Sequence, residues 1–200
     1  STGEVIISRT LKTVGIGEGN VDDMMGALLK STNPTVGVYA KRDGVHLRLT
    51  AKSLKEADAY RAIRPVEDEI RKMFGTAVWG ADEDTLQGSI GDLLKERGLT
   101  VAVMESCTGG LLASQLTDVA GSSEYFKGGL VTYTEEAKQQ YGVPGEVILE
   151  HGVVSEKTAR AMAKAVRAEL NADIGVGITG VAGPDPHGGE PVGTTHIAIE

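Results

Sequence analysis

One cysteine, Cys107, stands in 200 residues, so no disulfide can form within this chain. That is the expected usage of a reducing compartment, and the cytoplasm is the expected location. Aromatic residues make up only 4% of the sequence, with a single tryptophan. Its cores must therefore be aliphatic. No apolar run reaches the ~18 residues that a membrane-crossing helix needs. The first residues lack the basic-then-apolar pattern of a secretory leader. The four histidines, His46, His151, His187 and His196, show no metal-ligand spacing, and no metal or cofactor is expected.

Positive charge is also in deficit, at a net −8. Residues 1–75 carry 12 Lys and Arg against 10 Asp and Glu, whereas the remainder carries 8 against 18. Binding to a phosphate backbone depends on Lys and Arg, so an acidic chain of this kind is not expected to bind nucleic acid. Hydrophobic residues at 40% and charged residues at 24% describe an ordinary globular chain of one or two domains.

The first 80 residues read as β-α-β-β-α-β. "EVIISRTLKTVGI" is rich in β-branched residues and predicts a strand. Asn20 is the expected N-cap of the helix that follows, with Asp22 and Asp23 in its first turn. "TVGVYAKRDGVHLRLTA" predicts a hairpin turning at Asp43-Gly44. Val45, Leu47, Leu49 and Ala51 lie on one face, and His46, Arg48, Thr50 and Lys52 on the other. Ser53 and Glu56 have capping-box spacing for a helix to about Phe74, which Pro65 should kink or split. "TAVWG" closes the small α+β unit. A boundary is expected in "GADEDT", giving domains 1–80 and 81–200.

The pattern then changes. "DTLQGSIGDLLKERG" predicts a helix ending at Gly98. "LTVAVM" reads as a buried strand and "GGLLASQLTDVAG" as a helix. "GGLVTYT" is a strand and "EEAKQQYG" a short helix. "SEKTARAMAKAVRAELNA" is a helix, and "DIGVGITG" and "GTTHIAIE" are strands. This alternation predicts a mostly parallel sheet with helices on both faces, an α/β three-layer sandwich. Gly175 and Gly177, inside an apolar strand, predict close approach of another backbone. The last strand stops without a cap, so the domain is expected to be incomplete at its C-terminus.

Chemistry is expected at strand ends, where open α/β sheets hold their ligands. In "MESCTGG", Ser106 precedes a helix N-terminus, whose free N–H groups can hold an anion or an oxyanion. The same residues also fit a plain helix cap, with Ser106 or Thr108 as the capping group. Cys107 is a competing nucleophile. In "GGLVTYTEEAK", Tyr133 and Lys138 could supply a base. Equally, Thr134 fits an N-cap, and Lys138 a surface pair with Glu135. "TGVAGP" places Thr179, Gly180 and Gly183 beyond a third strand end, as an anion-holding loop or a tight Gly-Pro turn. "PDPHGGEP" after it reads as a flap or an ordinary loop.

Together "ESCTGG", "GSSEYFKGGLVTYTEEAK", "HGVVSEKTARAMA" and "GITGVAGP…PVGT" closely resemble the C-terminal domain of the CinA family, the competence/damage-inducible proteins, from about residue 84 to 200. Residues 4–79 resemble that family's KH-type middle domain, although residues 1–75 contain no G-x-x-G between two helices. Full-length members begin with a molybdopterin-binding-like domain associated with ADP-ribose pyrophosphatase activity. The resemblance implies nicotinamide-nucleotide amidase activity, a small-molecule nucleotide as partner, a homo-oligomer and no cofactor. It implies Ser106 as nucleophile, with Tyr133 and Lys138 as candidates for moving its proton. Backbone N–H groups around Thr108, Gly109 and Gly110 would hold the oxyanion. Substrate contacts would come from these residues, from Glu105 and Thr134, and from the loop carrying Thr179, Gly180, Ala182 and Gly183. Family members continue past residue 200 with more strand, a helix and an arginine near the substrate phosphate. On that basis this chain alone is expected to be weakly active or inactive. Two other readings stay open, a non-catalytic nucleotide-binding or assembly module and an unrelated serine esterase or peptidase.

Overall fold

A computed structural model describes residues 3–200, which divide into two compact units between Ser89 and Ile90. In the first, strand β1 (Val5–Thr13) is followed by helix α1 (Glu18–Met25) and a 3₁₀ turn (Gly26–Lys30). Strands β2 (Thr35–Lys41) and β3 (Gly44–Ser53), helix α2 (Glu56–Phe74) and strand β4 (Val78–Ala81) complete it. All strand pairs are antiparallel, in the order β2-β3-β1-β4. The alternation along β3 does what its period demands. Val45, Leu47, Leu49 and Ala51 are buried against Ala59, Ile63, Ile70 and Phe74 of α2.

Four local expectations in this unit are corrected. α1 starts at Glu18 with Gly17 as its cap, so Asn20, Asp22 and Asp23 lie within the helix. Ser53 is the last residue of β3, and α2 is capped at Lys55 with no side-chain hydrogen bond. The hairpin turns at residues 42–43, because Gly44 already pairs with Lys41. Pro65 does not split α2, which is one helix from Glu56 to Phe74. That proline is on the exposed side, so the Arg61 carbonyl it leaves without a donor can be met by water.

The second unit contains helix α3 (Leu86–Arg97), which begins just before it, and strand β5 (Val101–Glu105). Helix α4 (Leu111–Thr117), strand β6 (Phe126–Val131) and helices α5 (Glu135–Gln140) and α6 (Gly145–His151) follow. Helix α7 (Glu156–Glu169) and strands β7 (Ile174–Gly180) and β8 (Thr195–Ile199) end it. Strand order is β6-β5-β7-β8, with the first three parallel and β8 antiparallel to β7. Every residue of β5 is buried. Ala102 and Met104 pack with Met162 and Val166 of α7, while Val101 and Val103 pack with Leu94 and Leu116 on the other face. That is the three-layer α/β arrangement, and it explains why β5 reads as a continuous apolar run. On α3, Leu94 is buried while Ile90 and Leu93 are exposed.

Gly175 and Gly177 sit directly under α7. A Cβ on Gly175 would lie 2.0 Å from the Ala163 carbonyl oxygen, and one on Gly177 would lie 2.1 Å from that of Ala159. The helix backbone can rest on the sheet only because these side chains are absent. Since β5, β6 and β7 are parallel, their C-terminal ends fall along one edge, with Glu105 opposite both Val131 and Ile178.

Candidate active site

The three strand ends converge. The N–H of Ser106 donates to the Ile178 carbonyl at 3.0 Å, continuing the β5–β7 pairing by one residue. On the other side, the Thr132 N–H donates to the Glu105 carbonyl at 2.8 Å. After Thr132 the chain turns at Tyr133 into α5. The Thr134 hydroxyl caps that helix, accepting from the Ala137 N–H at 3.2 Å. One turn later Lys138 points back at the sheet edge.

Lys138 has no exposed surface, and Ser106 is 6% exposed. The Lys138 Nζ lies 3.1 Å from Ser106 Oγ, 2.8 Å from the Thr132 carbonyl oxygen and 3.4 Å from that of Tyr133. The surface pairing with Glu135 is therefore not what holds it. Burial pushes the Lys138 pKa below the usual lysine range, against the opposing influence of Glu135 and Cys107. A buried ammonium with no carboxylate in contact loses hydration it does not recover. That cost favours the neutral amine, although three N–H bonds to Ser106 Oγ and the two carbonyls would also satisfy the ammonium. The neutral form's two N–H bonds can go to the two carbonyls, and its lone pair faces the Ser106 hydroxyl.

Neither Ser106 nor Thr108 caps α4. That work falls to Glu105, which is fully buried. Its carboxylate accepts from the N–H groups of Gly110 at 3.2 Å, Leu112 at 3.1 Å and Ala113 at 2.8 Å. These are charge-assisted bonds to the orphan donors of a helix start. The Gly109 N–H donates to the Ser106 carbonyl at 3.1 Å. Hence the expected oxyanion donors at Gly109 and Gly110 are already engaged. The N–H groups of Cys107 and Thr108 have no acceptor among the described residues, and Thr108 Oγ1 is buried without one.

A cleft of about 370 Å³ opens in front of Ser106. Ser106, Tyr133, Thr179, Gly180, Ala182 and Gly183 all line it. The other five substrate-binding candidates do not. Glu105 is committed to α4, Thr134 caps α5, and Thr108, Gly109 and Gly110 form the turn behind Ser106. Thr179 borders the cleft, but it is fully buried and its hydroxyl donates to the Val153 carbonyl at 2.9 Å. The Tyr133 phenol is two-thirds exposed and makes no hydrogen bond among the described residues, so its link to Lys138 is through its main-chain carbonyl. Sequence reasoning did not single out Val153, Val154, Asp185 and His187 as lining residues. "GVVS" precedes the Ser155 cap of α7, and Asp185 and His187 stand in the loop after β7. Only that loop's flap-like composition pointed to it.

Among the described residues, no three His, Cys, Asp or Glu side chains are grouped to hold a metal ion, and no helix is long and apolar enough to cross a membrane.

Residues 83–200 match the family model of the CinA C-terminal domain, and residues 8–80 match that of the damage-inducible protein CinA KH domain. The chain belongs to the CinA family. It is 48% identical over 199 residues to a putative competence-damage inducible protein of Symbiobacterium thermophilum, covering 97% of this chain and 46% of that protein. Its identity to the corresponding protein of Moorella thermoacetica is 47%, covering 98% and 48%. This CinA-family chain thus spans about half the length of the curated relatives it matches. Among solved structures, the competence/damage inducible protein CihA from Agrobacterium tumefaciens superimposes with a TM-score of 0.55. That match has 40% identity and covers 57% of this chain and 70% of that one. These names state no enzymatic activity.

Proposed function

We propose that this CinA-family chain carries the site of a serine amidase that hydrolyses nicotinamide mononucleotide to nicotinic acid mononucleotide and ammonia. The observation that supports it is the buried Lys138 Nζ at 3.1 Å from Ser106 Oγ, at the mouth of a cleft. An ordinary serine hydroxyl is a weak nucleophile and needs a base within hydrogen-bond reach. A lysine whose burial favours the neutral amine supplies one.

In this reading Ser106 Oγ adds to the carboxamide carbon while its proton passes to Lys138 Nζ. The oxygen of the tetrahedral intermediate takes the negative charge, and the N–H groups of Cys107 and Thr108, which have no acceptor in the turn that follows Ser106, are the donors this reading assigns to it. One such donor is worth roughly 3 kcal/mol of barrier. Collapse breaks the C–N bond, and Lys138 returns the proton to the departing ammonia. Water, deprotonated by the same amine, then attacks the acyl-serine ester, and its C–O bond breaks as Lys138 returns the proton to Ser106 Oγ and the carboxylate leaves. Gly180 at the end of β7 and the loop residues Ala182 and Gly183 border the nucleotide, and Tyr133 stands at the rim, where its ring can stack on the pyridine.

Ammonia release from nicotinamide mononucleotide tests the reading. Turnover is expected from the full-length protein that carries this chain, and none from its Ser106→Ala variant. Undiminished turnover in Ser106→Ala rules out the serine mechanism.

A further inference from the structure

The cleft in front of Ser106 has an uneven charge. Among the residues lining it there is one carboxylate, that of Asp185, and no lysine or arginine. Asp185 follows Pro184 in the loop after β7 and is exposed. It makes no ion pair or hydrogen bond with any described residue, and the one other titratable side chain of that loop on the cleft is His187, two positions on. Opposite charge at a cleft wall favours a cationic ligand over a neutral one of the same shape. The exposed Tyr133 ring on the same cleft adds a face that attracts cations.

We infer that Asp185 is a specificity-determining residue, selecting carboxamides borne on a cationic, N-substituted pyridinium ring over those on a neutral ring. This rests on the amidase reading for the choice of ligand, but its test does not depend on turnover. A cationic ring also suits the chemistry next door. It withdraws electrons from the carboxamide carbon, and it favours a Lys138 that carries no charge of its own when substrate arrives.

The test compares nicotinamide mononucleotide with its reduced dihydropyridine form. The two share the carboxamide, ribose and phosphate and differ in ring charge. Affinities are measured by calorimetry in Ser106→Ala protein, where nothing is hydrolysed, with and without Asp185→Asn. The expected result is about a threefold to fivefold preference for the cationic ring, the size of an exposed charge pair. Asp185→Asn should abolish that preference, and Asp185→Lys should reverse it. The preference should also shrink as salt is raised. An unchanged ratio in Asp185→Asn overturns the inference, as does no preference, or no binding of either nucleotide, in the parent protein. Ammonia release by the wild-type protein is scored separately, so the amidase reading and the role of Asp185 stand or fall on different readouts.

Discussion

Lys138 Nζ and Ser106 Oγ lie 3.1 Å apart although 32 positions separate them in the chain. The lysine is fully buried, and its burial works against its charge. One contact thus carries both a catalytic expectation and a thermodynamic one.

Replacing Lys138 by methionine should separate the two. The proton acceptor is lost, so turnover of nicotinamide mononucleotide should fall by about 10²–10⁴-fold. The desolvated amine is also lost, so stability should rise, by an amount on the order of 1 kcal/mol. Urea denaturation and the ammonia assay on the same preparation check both. A variant that is both inactive and less stable would show that Lys138 is a structural strut.

The pH dependence follows from the direction of the Lys138 shift. Its folded pKa is lowered while the unfolded chain keeps the ordinary value near 10.5. Between those two values the unfolded state binds the extra proton, so stability rises with pH through that window. Below the folded pKa both states are protonated and the penalty of burying the charge is present in full. Activity should rise with pH as the amine becomes neutral, with its midpoint below 10.5. The Tm of the wild-type protein should therefore gain on that of Lys138→Met as pH increases, which a series of thermal melts reads directly.

Glu105 is expected to matter for folding rather than for substrate contact. Glu105→Gln keeps the shape but loses the negative charge that accepts three N–H groups at the start of α4. A loss of about 1–3 kcal/mol is expected, seen as a lower denaturation midpoint. Because α4 follows the turn that shapes Cys107 and Thr108, kcat should fall more than KM rises.

Gly177→Ala should be severe. Its new methyl would sit 2.1 Å from the Ala159 carbonyl oxygen, and backbone on backbone cannot yield as a side-chain tip can. A loss on the order of 3 kcal/mol is expected. Gly109→Ala is the contrast, since no atom lies within 4 Å and only its φ of +61° is unfavourable, a penalty of about 1 kcal/mol. Chemical denaturation of the two variants side by side checks the order.

What the sequence makes legible is what is local or periodic. The alternation along β3, the unbroken apolar run of β5 and the glycines under α7 each follow from a spacing that one strand imposes. The meeting of Ser106 with Lys138 has no such signature. It depends on which strands are neighbours, and only the order β6-β5-β7 puts those loops together. α6 escaped because it is seven residues long, and its "EVILEH" has a buried Ile148 next to a 90% exposed Leu149 rather than a repeating face. Glu105 escaped for a different reason. A charged residue ending a buried strand looks like a group aimed at ligand, and only the geometry of α4 shows that the backbone uses it.

The claim on which the rest depends is that Ser106 becomes acylated. Acid-quenched reaction of the protein with nicotinamide mononucleotide, followed by peptide mass spectrometry, tests it most directly. The account predicts a nicotinoyl-nucleotide ester on the peptide containing Ser106, absent in Ser106→Ala. Ammonia release at a full rate with the adduct on Cys107, or with none on any residue under conditions that preserve esters, would contradict it.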